Sequence, residues 1–449
     1  MAFDQNEWEQ RKQRRKEDRE KRDKAQKRFR IRLIIAGVAL AAVLILILVL
    51  SLMARSNEKP PEQTTGATEG TTLVSDPTDG TEPSSTGATQ TTAPKDAEDV
   101  TVVRFAAAGD VNVTDKVVAS GGVTLDYSPV FQDVVSILAD ADLTAVNFEG
   151  NLIGAPYGSE RVSAPPQLLT ALRNAGVDMV QLANSRTIAN GVSGLVTTLQ
   201  SVRATGLEPL GVYASNQEYA NSGGYTLWEV KGVRIAVVAF TKGMDSMALP
   251  VGSEDCVNLL YEDYSSKYAK VNRERITDVI KAAAAEKPDV IIAMLHWGSE
   301  YNDTHAESQT DIANLLFSLG VDAIIGTHPH YVQEMQYDAQ KGTFLAYSIG
   351  DLLGDGEKSG TEYSVVLELE ITKNNRTGET KITNYQYTPI FIYENPEGLM
   401  RVVRLKSAMD AYEQNFPSRV SDEIYSDMVY AATRVEERIN PKKDEDKQK

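Results

Sequence analysis

The sequence predicts an α/β domain with mixed β-sheets, and two observations support this fold class. Short runs rich in β-branched residues, such as "VTVVRF", "LTAVNF" and "DVIIAML", alternate with stretches that have helical spacing. Farther along the chain, alternating polar and apolar residues flank turn signals, a pattern typical of antiparallel hairpins. Strands that alternate with helices and are then followed by hairpins indicate parallel and antiparallel pairing in the same domain.

The elements of the first half follow in a regular order. The first predicted strand stops at Gly109-Asp110, "YSPVFQDVVSILADAD" has helical spacing, and the next strand stops at Glu149. "LLTALRNAG" then predicts a helix that ends at glycine, "VDMVQLANSR" a strand and "SGLVTTLQSVRATG" a helix. "YTLWEVKGVRIAVVAFT" predicts a hairpin that turns at Lys231-Gly232.

The second half continues this alternation and then changes to hairpins. A long polar helix over about 263–287 precedes the strand "DVIIAMLHWG", and a helix over about 306–319 precedes "VDAIIGTHPH". "YVQEMQYDAQKGTFLAYSIGD" and "YSVVLELEITKNNRTGETKITNYQYTPIFIY" are predicted hairpins. We expect one domain over 100–405, followed by a C-terminal helical segment and charged tail over 406–449, with the helical residues 406–439 packed on the domain.

The first hundred residues have a different composition from the domain. Residues 1–32 contain thirteen Lys/Arg and seven Asp/Glu, and residues 33–53 are 21 residues without a charge. At about 1.5 Å per residue such a helix spans a hydrocarbon core of about 30 Å, so a retained transmembrane helix is predicted. Because basic segments stay in the cytoplasm, the N-terminus is expected inside and the domain outside the cell. Residues 54–99, rich in Thr, Ser and Pro, are predicted to be a disordered tether.

Charge and cysteine content limit the possible partners and the basis of stability. The whole chain carries −17, and removing the +6 of residues 1–32 leaves −23 for the remainder. This charge repels polyanions except at a locally positive site, and no nucleic-acid partner is expected. Cys256 is the single cysteine, so the fold has no intrachain disulfide and depends on its core or on bound metal.

Polar side chains follow five predicted strands at the point where each strand ends. Asp110 and Glu149 end two of them, and "NSR" ends the third. His296 ends the fourth, and His328 and His330 follow the fifth. In open α/β sheets, ligands bind beyond the carboxyl ends of the strands, so these groups are expected to meet at one edge.

Imidazole and carboxylate together form a ligand set for Mn, Zn or Fe, and a site of this kind can hold two ions. The metal-ligand candidates share these two chemistries and are Asp110, Glu149, His296, His328 and His330. All four histidines of the chain lie within residues 296–330. His305, in the polar stretch "YNDTHAE", is predicted instead to be a solvent-facing residue near the start of a helix.

Several stretches together resemble the CapA/PgsA family of poly-γ-glutamate capsule-biosynthesis proteins. They are "AAAGDVNVTDKV", "ADLTAVNFEGNLIG", "VDMVQLANSRTIANGVSGLVTTLQSVRATGL", "VIIAMLHWGSEY", "SLGVDAIIGTHPHYVQEMQ" and "LAYSIGDLLGD". "HWGSEY" and "GTHPH" are the most specific of these. The resemblance implies a two-sheet sandwich flanked by helices, similar to a calcineurin-like metallophosphatase. The predicted membrane anchor and tether are typical of the Gram-positive members of this family, so the resemblance implies a Gram-positive-type bacterium.

The chain departs from that family pattern at the third motif. The family reads Asn-Asn-His-Thr and then Asp-Gly, whereas this chain has Asn184-Ser185-Arg186-Thr187 and then Asn190-Gly191. "SIGDLL" also places Asp351 where the family has Asn. By analogy, Ser185 replaces a metal ligand and Arg186 replaces a proton-donating histidine. A guanidinium does not give up its proton near neutral pH. We therefore expect at most one tightly bound ion.

The sequence leaves two roles open for Arg186. Facing Asp110 and Glu149, it would replace the charge of one metal ion and bind a carboxylate or phosphate with its two-pronged guanidinium. Alternatively, it forms a structural salt bridge with Asp351 or Glu300. The candidate catalytic residues are therefore Arg186 and His296, and the candidate substrate-binding residues are Arg186, Asn184 and Glu300.

Two functions follow from the resemblance. The first is a membrane-anchored extracellular component of capsule or poly-γ-glutamate-type polymer biosynthesis. It would bind an anionic polymer or membrane polymer-synthesis subunits and contact the bilayer through its N-terminal helix. The alternative is a metal-dependent hydrolase that acts on a phosphoester or on the γ-glutamyl polymer. The matching histidines favour the hydrolase, and the altered Asn-His pair favours the assembly role.

Overall fold

The computed structural model describes residues 99–415 and 420–441. The predictions of a basic segment, a transmembrane helix and a tether, and of the tail at 442–449, therefore lie outside the described residues. Within the part of the chain that the structure describes, none of the helices combines the length and the apolar character needed to cross a bilayer.

The larger sheet joins both halves of the described chain. Strands β1 to β4 are parallel to one another, β12 to β14 extend the sheet with antiparallel pairs beyond β1, and the short β11 pairs in parallel with the end of β1. The bounds are β1 Val100–Asn112, β2 Leu143–Glu149, β3 Met179–Gln181, β4 Glu208–Leu210, β11 Asp351–Leu353, β12 Tyr363–Asn374, β13 Thr380–Glu394 and β14 Met400–Arg404.

The second sheet has six strands in the order β5-β6-β7-β8-β10-β9. Its centre is parallel, and antiparallel pairs close both edges, β5 with β6 and β9 with β10. The bounds are β5 Tyr225–Val230, β6 Val233–Thr241, β7 Val290–His296, β8 Ala323–Thr327, β9 Met335–Asp338 and β10 Thr343–Ala346. The predicted hairpins are therefore present, and the mixed α/β class is confirmed.

The two sheets pack face to face because their strands are apolar on both sides. Along β7, Ile292 and Met294 lie in the core between the sheets, whereas Ile291, Ala293 and Leu295 lie in a core beneath the outer helices. This alternation is the two-residue period of a strand whose two faces are both buried. A third core lies on the outer face of the larger sheet.

Ten helices occur among the described residues, most of them on the outer faces. Their bounds are α1 Asp115–Ala119, α2 Ser128–Phe131, α3 Val135–Ala139, α4 Pro166–Asn174, α5 Gly191–Thr205, α6 Asn216–Ser222, α7 Arg273–Ala285, α8 Glu307–Ser318, α9 Leu405–Glu413 and α10 Asp422–Ile439. The start predicted near residue 263 for α7 was wrong. The Asp263 carboxylate accepts hydrogen bonds from the N–H groups of Ala269 and Lys270, which fixes a turn, and the helix begins only after Asn272 caps it.

A repeated aspartate sets the start of four parallel strands. Asp142, Asp178, Asp289 and Asp322 each lie immediately before the first residue of a strand. Each carboxylate accepts a hydrogen bond of 2.8–2.9 Å from a backbone N–H of the neighbouring strand, and the same residue's own N–H donates back to that partner's carbonyl. This two-way contact fixes the register of the strands and therefore the level at which their carboxyl ends meet.

Candidate metal centre

The structure brings the carboxyl ends of both sheets to one place. Glu149 is the last residue of β2 and His296 the last residue of β7, while His328 and His330 follow β8 directly. Asp110 lies near the end of β1, opposite Asp351 at the start of β11. Three groups of potential ligands, each with its atoms within 4.8 Å of one another, are formed from these six residues. All six are buried.

Close approach of β1 and β11 depends on Gly109. A Cβ atom at this position would lie 1.6 Å from the carbonyl oxygen of Gly350, which accepts a hydrogen bond from the Asp110 N–H. Glycine therefore permits the contact that places Asp110 beside Asp351. His330 then lies between the two carboxylates, with its Nδ1 2.8 Å from Asp351 Oδ1 and 3.3 Å from Asp110 Oδ2.

The imidazole of His296 is enclosed by polar partners on both sides. Its Nε2 lies 3.1 Å from Ser185 Oγ and 3.6 Å from Glu149 Oε1, and its Nδ1 lies 3.3 Å from Thr327 Oγ1. Burial lowers the pKa of His296 well below its usual value, and the neighbouring histidines lower it further. His296 is therefore neutral near pH 7, the form in which imidazole binds metals.

His328 is a buried histidine that the described residues leave without a hydrogen bond to its ring. Neither ring nitrogen has a hydrogen-bond partner among the described residues, although the side chain is only 3% exposed. Burial also holds the pKa of His328 well below its usual value. A buried neutral imidazole without partners costs free energy, and a bound metal ion would satisfy one of its nitrogens. Glu149 and His330 lie within ligand distance of the same point, so the residues present fit a metal ion.

Burial and neighbouring charges shift the pKa values of Glu149 and Asp351 in the cluster. Burial and the like charge of Asp110 raise the pKa of Glu149 well above its usual value. Burial raises the pKa of Asp351 to about 7, although His330 opposes this shift. Asp351 and Asp110 in turn raise the pKa of His330, despite its burial. Because burial disfavours the charged forms of Glu149 and Asp351, a bound cation would favour their deprotonated forms.

A pocket with a volume of about 230 Å³ gives access to the cluster. Ser185 and His328 line it on the side of the cluster, and Lys242, Tyr268 and Glu300 line it elsewhere. The Lys242 ammonium donates a 2.7 Å hydrogen bond to the carbonyl of Gly298 and lies 4.9 Å from the centre of the Tyr268 ring. Burial lowers the pKa of Lys242. Lys242 and His328 thus line the same pocket, and the charge of Lys242 helps to lower the pKa of His328.

The partner of Arg186 differs from both partners that the sequence suggested. Its guanidinium bonds to the carboxylate of Asp245, and neither Asp351 nor Glu300 pairs with it. About two fifths of each side chain is exposed, so the pair lies at the rim of the pocket. The prediction of a salt bridge with Asp351 or Glu300 was wrong because the loop after β6 brings a carboxylate closer to the guanidinium. Arg186 still lowers the pKa of Glu149 through its charge.

The amide of Asn184 is used inside the protein. Its Nδ2 donates to Asn147 Oδ1 and to the carbonyl of Phe148, and its Oδ1 accepts from the Arg186 N–H. All of its polar atoms thus bind protein groups that hold the "NSR" turn against β2. Glu300, by contrast, is exposed and lines the pocket.

Sequence reasoning missed Asn147 and Lys242 and did not include Asp351 among the ligand candidates. Asn147 Nδ2 donates to Asp110 Oδ1 at 2.6 Å and lies 3.3 Å from His296 Nδ1, so it connects two members of the cluster. Its position two residues before Glu149 was the available signal, because residues i and i+2 share one face of a strand. His305 lies outside the cluster and is not simply solvent-facing, since its ring stacks 3.7 Å from the ring of Tyr347.

Residues 104–356 match the family described as bacterial capsule synthesis protein PGA_cap. This match covers more than half of the chain. The chain belongs to this family. The resemblance to capsule-biosynthesis proteins that the sequence motifs indicated is therefore confirmed.

Two relatives of the family carry related names. Capsule biosynthesis protein CapA of Bacillus anthracis is 24% identical over 258 residues, which cover 56% of this chain and 59% of that protein. PGA biosynthesis protein CapA of Bacillus subtilis (strain 168) is 25% identical over 312 residues, which cover 65% of this chain and 74% of that protein. The chain thus spans about three fifths of the length of the B. anthracis relative.

Solved structures with a similar chain include two proteins with phosphatase names. The calcineurin-like phosphoesterase YfkN from Bacillus subtilis is 16% identical, with a TM-score of 0.40 over 75% of this chain and 98% of that chain. A phosphatase from Mycoplasma pneumoniae is 13% identical, with a TM-score of 0.40 over 65% of this chain and 94% of that chain. Likeness at this level says nothing about the chemistry of the site.

Proposed function

We propose that this protein is a membrane-anchored, extracellular component of capsule or poly-γ-glutamate-type polymer biosynthesis. It binds the anionic polymer, or a partner subunit that carries it, at the candidate metal centre. Membership of the capsule synthesis family supports the process, and the printed names of the two CapA relatives support the polymer. The basic residues before the uncharged span at 33–53 support the anchor and its orientation.

The observation that carries the binding proposal is the buried imidazole of His328, whose nitrogens have no hydrogen-bond partner among the described residues. With Glu149 and His330 it forms a ligand set for a divalent Mn, Zn or Fe ion. The two other groups of potential ligands each share a residue with this set, either His330 or Glu149. We therefore propose at most one tightly bound ion.

Charge explains how an acidic domain would hold an acidic polymer. The chain after residue 32 carries −23, so a polyanion is attracted only at local positive sites. Lys242 and the proposed metal ion supply two such charges in the lining of one pocket. A carboxylate of the polymer would bind between them, while Asp245 and Glu300 at the rim limit how much negative charge can enter.

The hydrolase reading is kept as the second candidate because His328 lines an open pocket rather than a closed core. A ligand bound in that pocket would reach the proposed ion directly. Against this reading, Arg186 cannot donate a proton near neutral pH and its guanidinium is bound to Asp245. A missing general acid typically costs 10²–10⁴-fold in rate.

Binding of poly-γ-glutamate by the full-length chain, purified in mild detergent, tests the proposal. Metal content is measured first by elemental analysis, and the Kd for the polymer is then measured with and without a chelator. Lys242→Ala is expected to weaken binding about tenfold or more. The matched control is Lys341→Ala, which removes an exposed lysine from the turn between β9 and β10.

Three results would contradict parts of this proposal. Polymer binding that is unaffected by both the chelator and Lys242→Ala would exclude the pocket as the binding site. Two equivalents of a transition metal would refute the single-ion prediction. Release of glutamate or phosphate that His296→Ala abolishes would make the hydrolase reading correct.

A further inference from the structure

The C-terminal helix α10 lies beyond the residues that match the capsule synthesis family, yet it contacts Tyr331, the residue after His330. Its buried face places Met428, Ala431, Val435 and Ile439 in the core that the two sheets share. Its last turn carries Arg438, whose side chain is 9% exposed. A long charged side chain that is buried to this degree requires partners.

The guanidinium of Arg438 is held mainly by aromatic rings. Its central carbon lies 4.5 Å from the centre of the Tyr331 ring and 5.1 Å from that of Tyr363. Nη2 lies 3.8 Å from Asp303 Oδ2, a carboxylate that Arg434 also approaches. Nε and Nη1 of Arg438 have no hydrogen-bond partner among residues 99–415 and 420–441. The cation therefore depends on the ring faces, an arrangement that gains strength when it is desolvated.

Two of these contacts, with Tyr331 and with Asp303, lead to the loops around the histidines. Tyr331 follows His330 directly, and its ring meets the ring of Tyr301 edge-on at 6.1 Å. Tyr301 stacks on the His330 imidazole at 5.4 Å, and its N–H donates a 2.9 Å hydrogen bond to the carbonyl of Pro329. Asp303 lies in the same loop as Tyr301. Arg438 thus contacts both loops, one through Tyr331 and the other through Asp303.

The backbone of these loops needs such support. His328, His330 and Tyr301 have φ values of 92°, 58° and 57°. Residues with a side chain rarely adopt positive φ, and they keep it only where the surrounding structure enforces it. Two of the three are candidate metal ligands. Their side chains can point at Glu149 only while this backbone conformation is maintained.

We infer that Arg438 is a positioning residue for the metal centre and that α10 clamps the 301–303 and 328–331 loops against it. This inference rests on the proposed metal site. The C-terminal helix lies outside the family match, and in this role it helps to set the geometry of the ligands. Arg438 itself touches none of the candidate ligands and acts through Tyr331 and Tyr301.

Two measurements on the full-length chain in mild detergent test the clamp: the Kd for Mn²⁺ by calorimetry, and hydrogen–deuterium exchange of peptides that cover the two loops. Arg438→Ala is expected to weaken Mn²⁺ binding roughly tenfold, the low end for residues outside the ligand shell, and to accelerate exchange in both loops. Arg438→Lys keeps the charge and should recover part of each effect. Tyr301→Leu should reproduce both effects without altering α10.

The control is Glu436→Gln, which alters the contact of the same helix with Tyr387 and should change neither measurement. Unchanged affinity and unchanged loop exchange in Arg438→Ala would overturn the inference. Faster exchange throughout the domain would also overturn it, because Arg438 would then only dock the helix. If the unmodified chain binds no Mn²⁺, the metal proposal falls, and loop exchange alone then decides whether Arg438 holds the loops.

Discussion

Asp322, which precedes β8, offers a test of the electrostatics of this fold. Its carboxylate accepts a 2.8 Å hydrogen bond from the Ile291 N–H and is partly buried. Burial raises its pKa from 3.8 to about 6, although the hydrogen bond opposes this shift. Asp322→Asn keeps an oxygen that can accept the same hydrogen bond and removes the buried charge. We predict that this substitution stabilises the domain at neutral pH.

The magnitude follows from the shift in pKa. A change in pKa from 3.8 to about 6, at about 1.36 kcal/mol for each step of one in pKa, corresponds to roughly 3 kcal/mol in the free energy of unfolding. Between pH 4 and 6 the folded state binds a proton that the unfolded chain has released, so stability falls as the pH rises through this window. The penalty is complete above pH 6 and absent below pH 4. Asp322→Asn should therefore gain about 1–3 kcal/mol at pH 7.5, because the neutral hydrogen bond is somewhat weaker, and almost nothing at pH 4.

Asp289→Asn is the matched control because Asp289 has the same place before β7 but a different environment. Burial raises its pKa, but the Arg234 N–H and the Lys373 ammonium outweigh burial, so the net shift is downward. Asp289→Asn should consequently destabilise the domain at pH 7.5. Denaturant unfolding of both variants and of the unmodified chain at the two pH values measures these differences. A loss of stability in Asp322→Asn at pH 7.5 would refute the reasoning.

Three further predictions concern the metal centre. Glu149→Gln removes a carboxylate whose pKa is raised by burial and by Asp110. The substitution should therefore raise the melting temperature in chelator and abolish stabilisation by Mn²⁺. A lower melting temperature in chelator would contradict this. Arg186→Ala should lower the free energy of unfolding by less than about 1 kcal/mol, since the Arg186–Asp245 pair is two fifths exposed. A larger loss would show that the "NSR" turn depends on this salt bridge. Ser185→Asn combined with Arg186→His should raise the metal content found by elemental analysis, whereas unchanged content would show that Ser185 does not limit metal binding.

Strand ends were predictable because each is encoded locally. Apolar runs that stop at Asp110, Glu149 and His296 reveal both the strand and the polar group after it, and parallel strands bring such groups to one edge. The contribution of Asp351 to the site was not predictable in this way. It belongs to a three-residue strand that pairs with β1 across some 240 positions of sequence, and its approach depends on Gly109 rather than on any periodic pattern. Pairing over such a distance is set by the assembled fold.

The residues at the rim of the pocket were also not predictable from the sequence, and they bear on function. Both Lys242 and Asp245 follow β6 in an irregular segment, where neither strand nor helix period indicates which way a side chain points. Sequence reasoning therefore gave the role of anion binding to Arg186, the one cation adjacent to a recognisable motif. In the structure Asp245 neutralises Arg186 at the rim, and Lys242 is the cation that lies beside His328. Because one segment supplies both residues, it pairs the charge of Arg186 with a carboxylate and adds the side chain of Lys242 to the pocket that His328 lines.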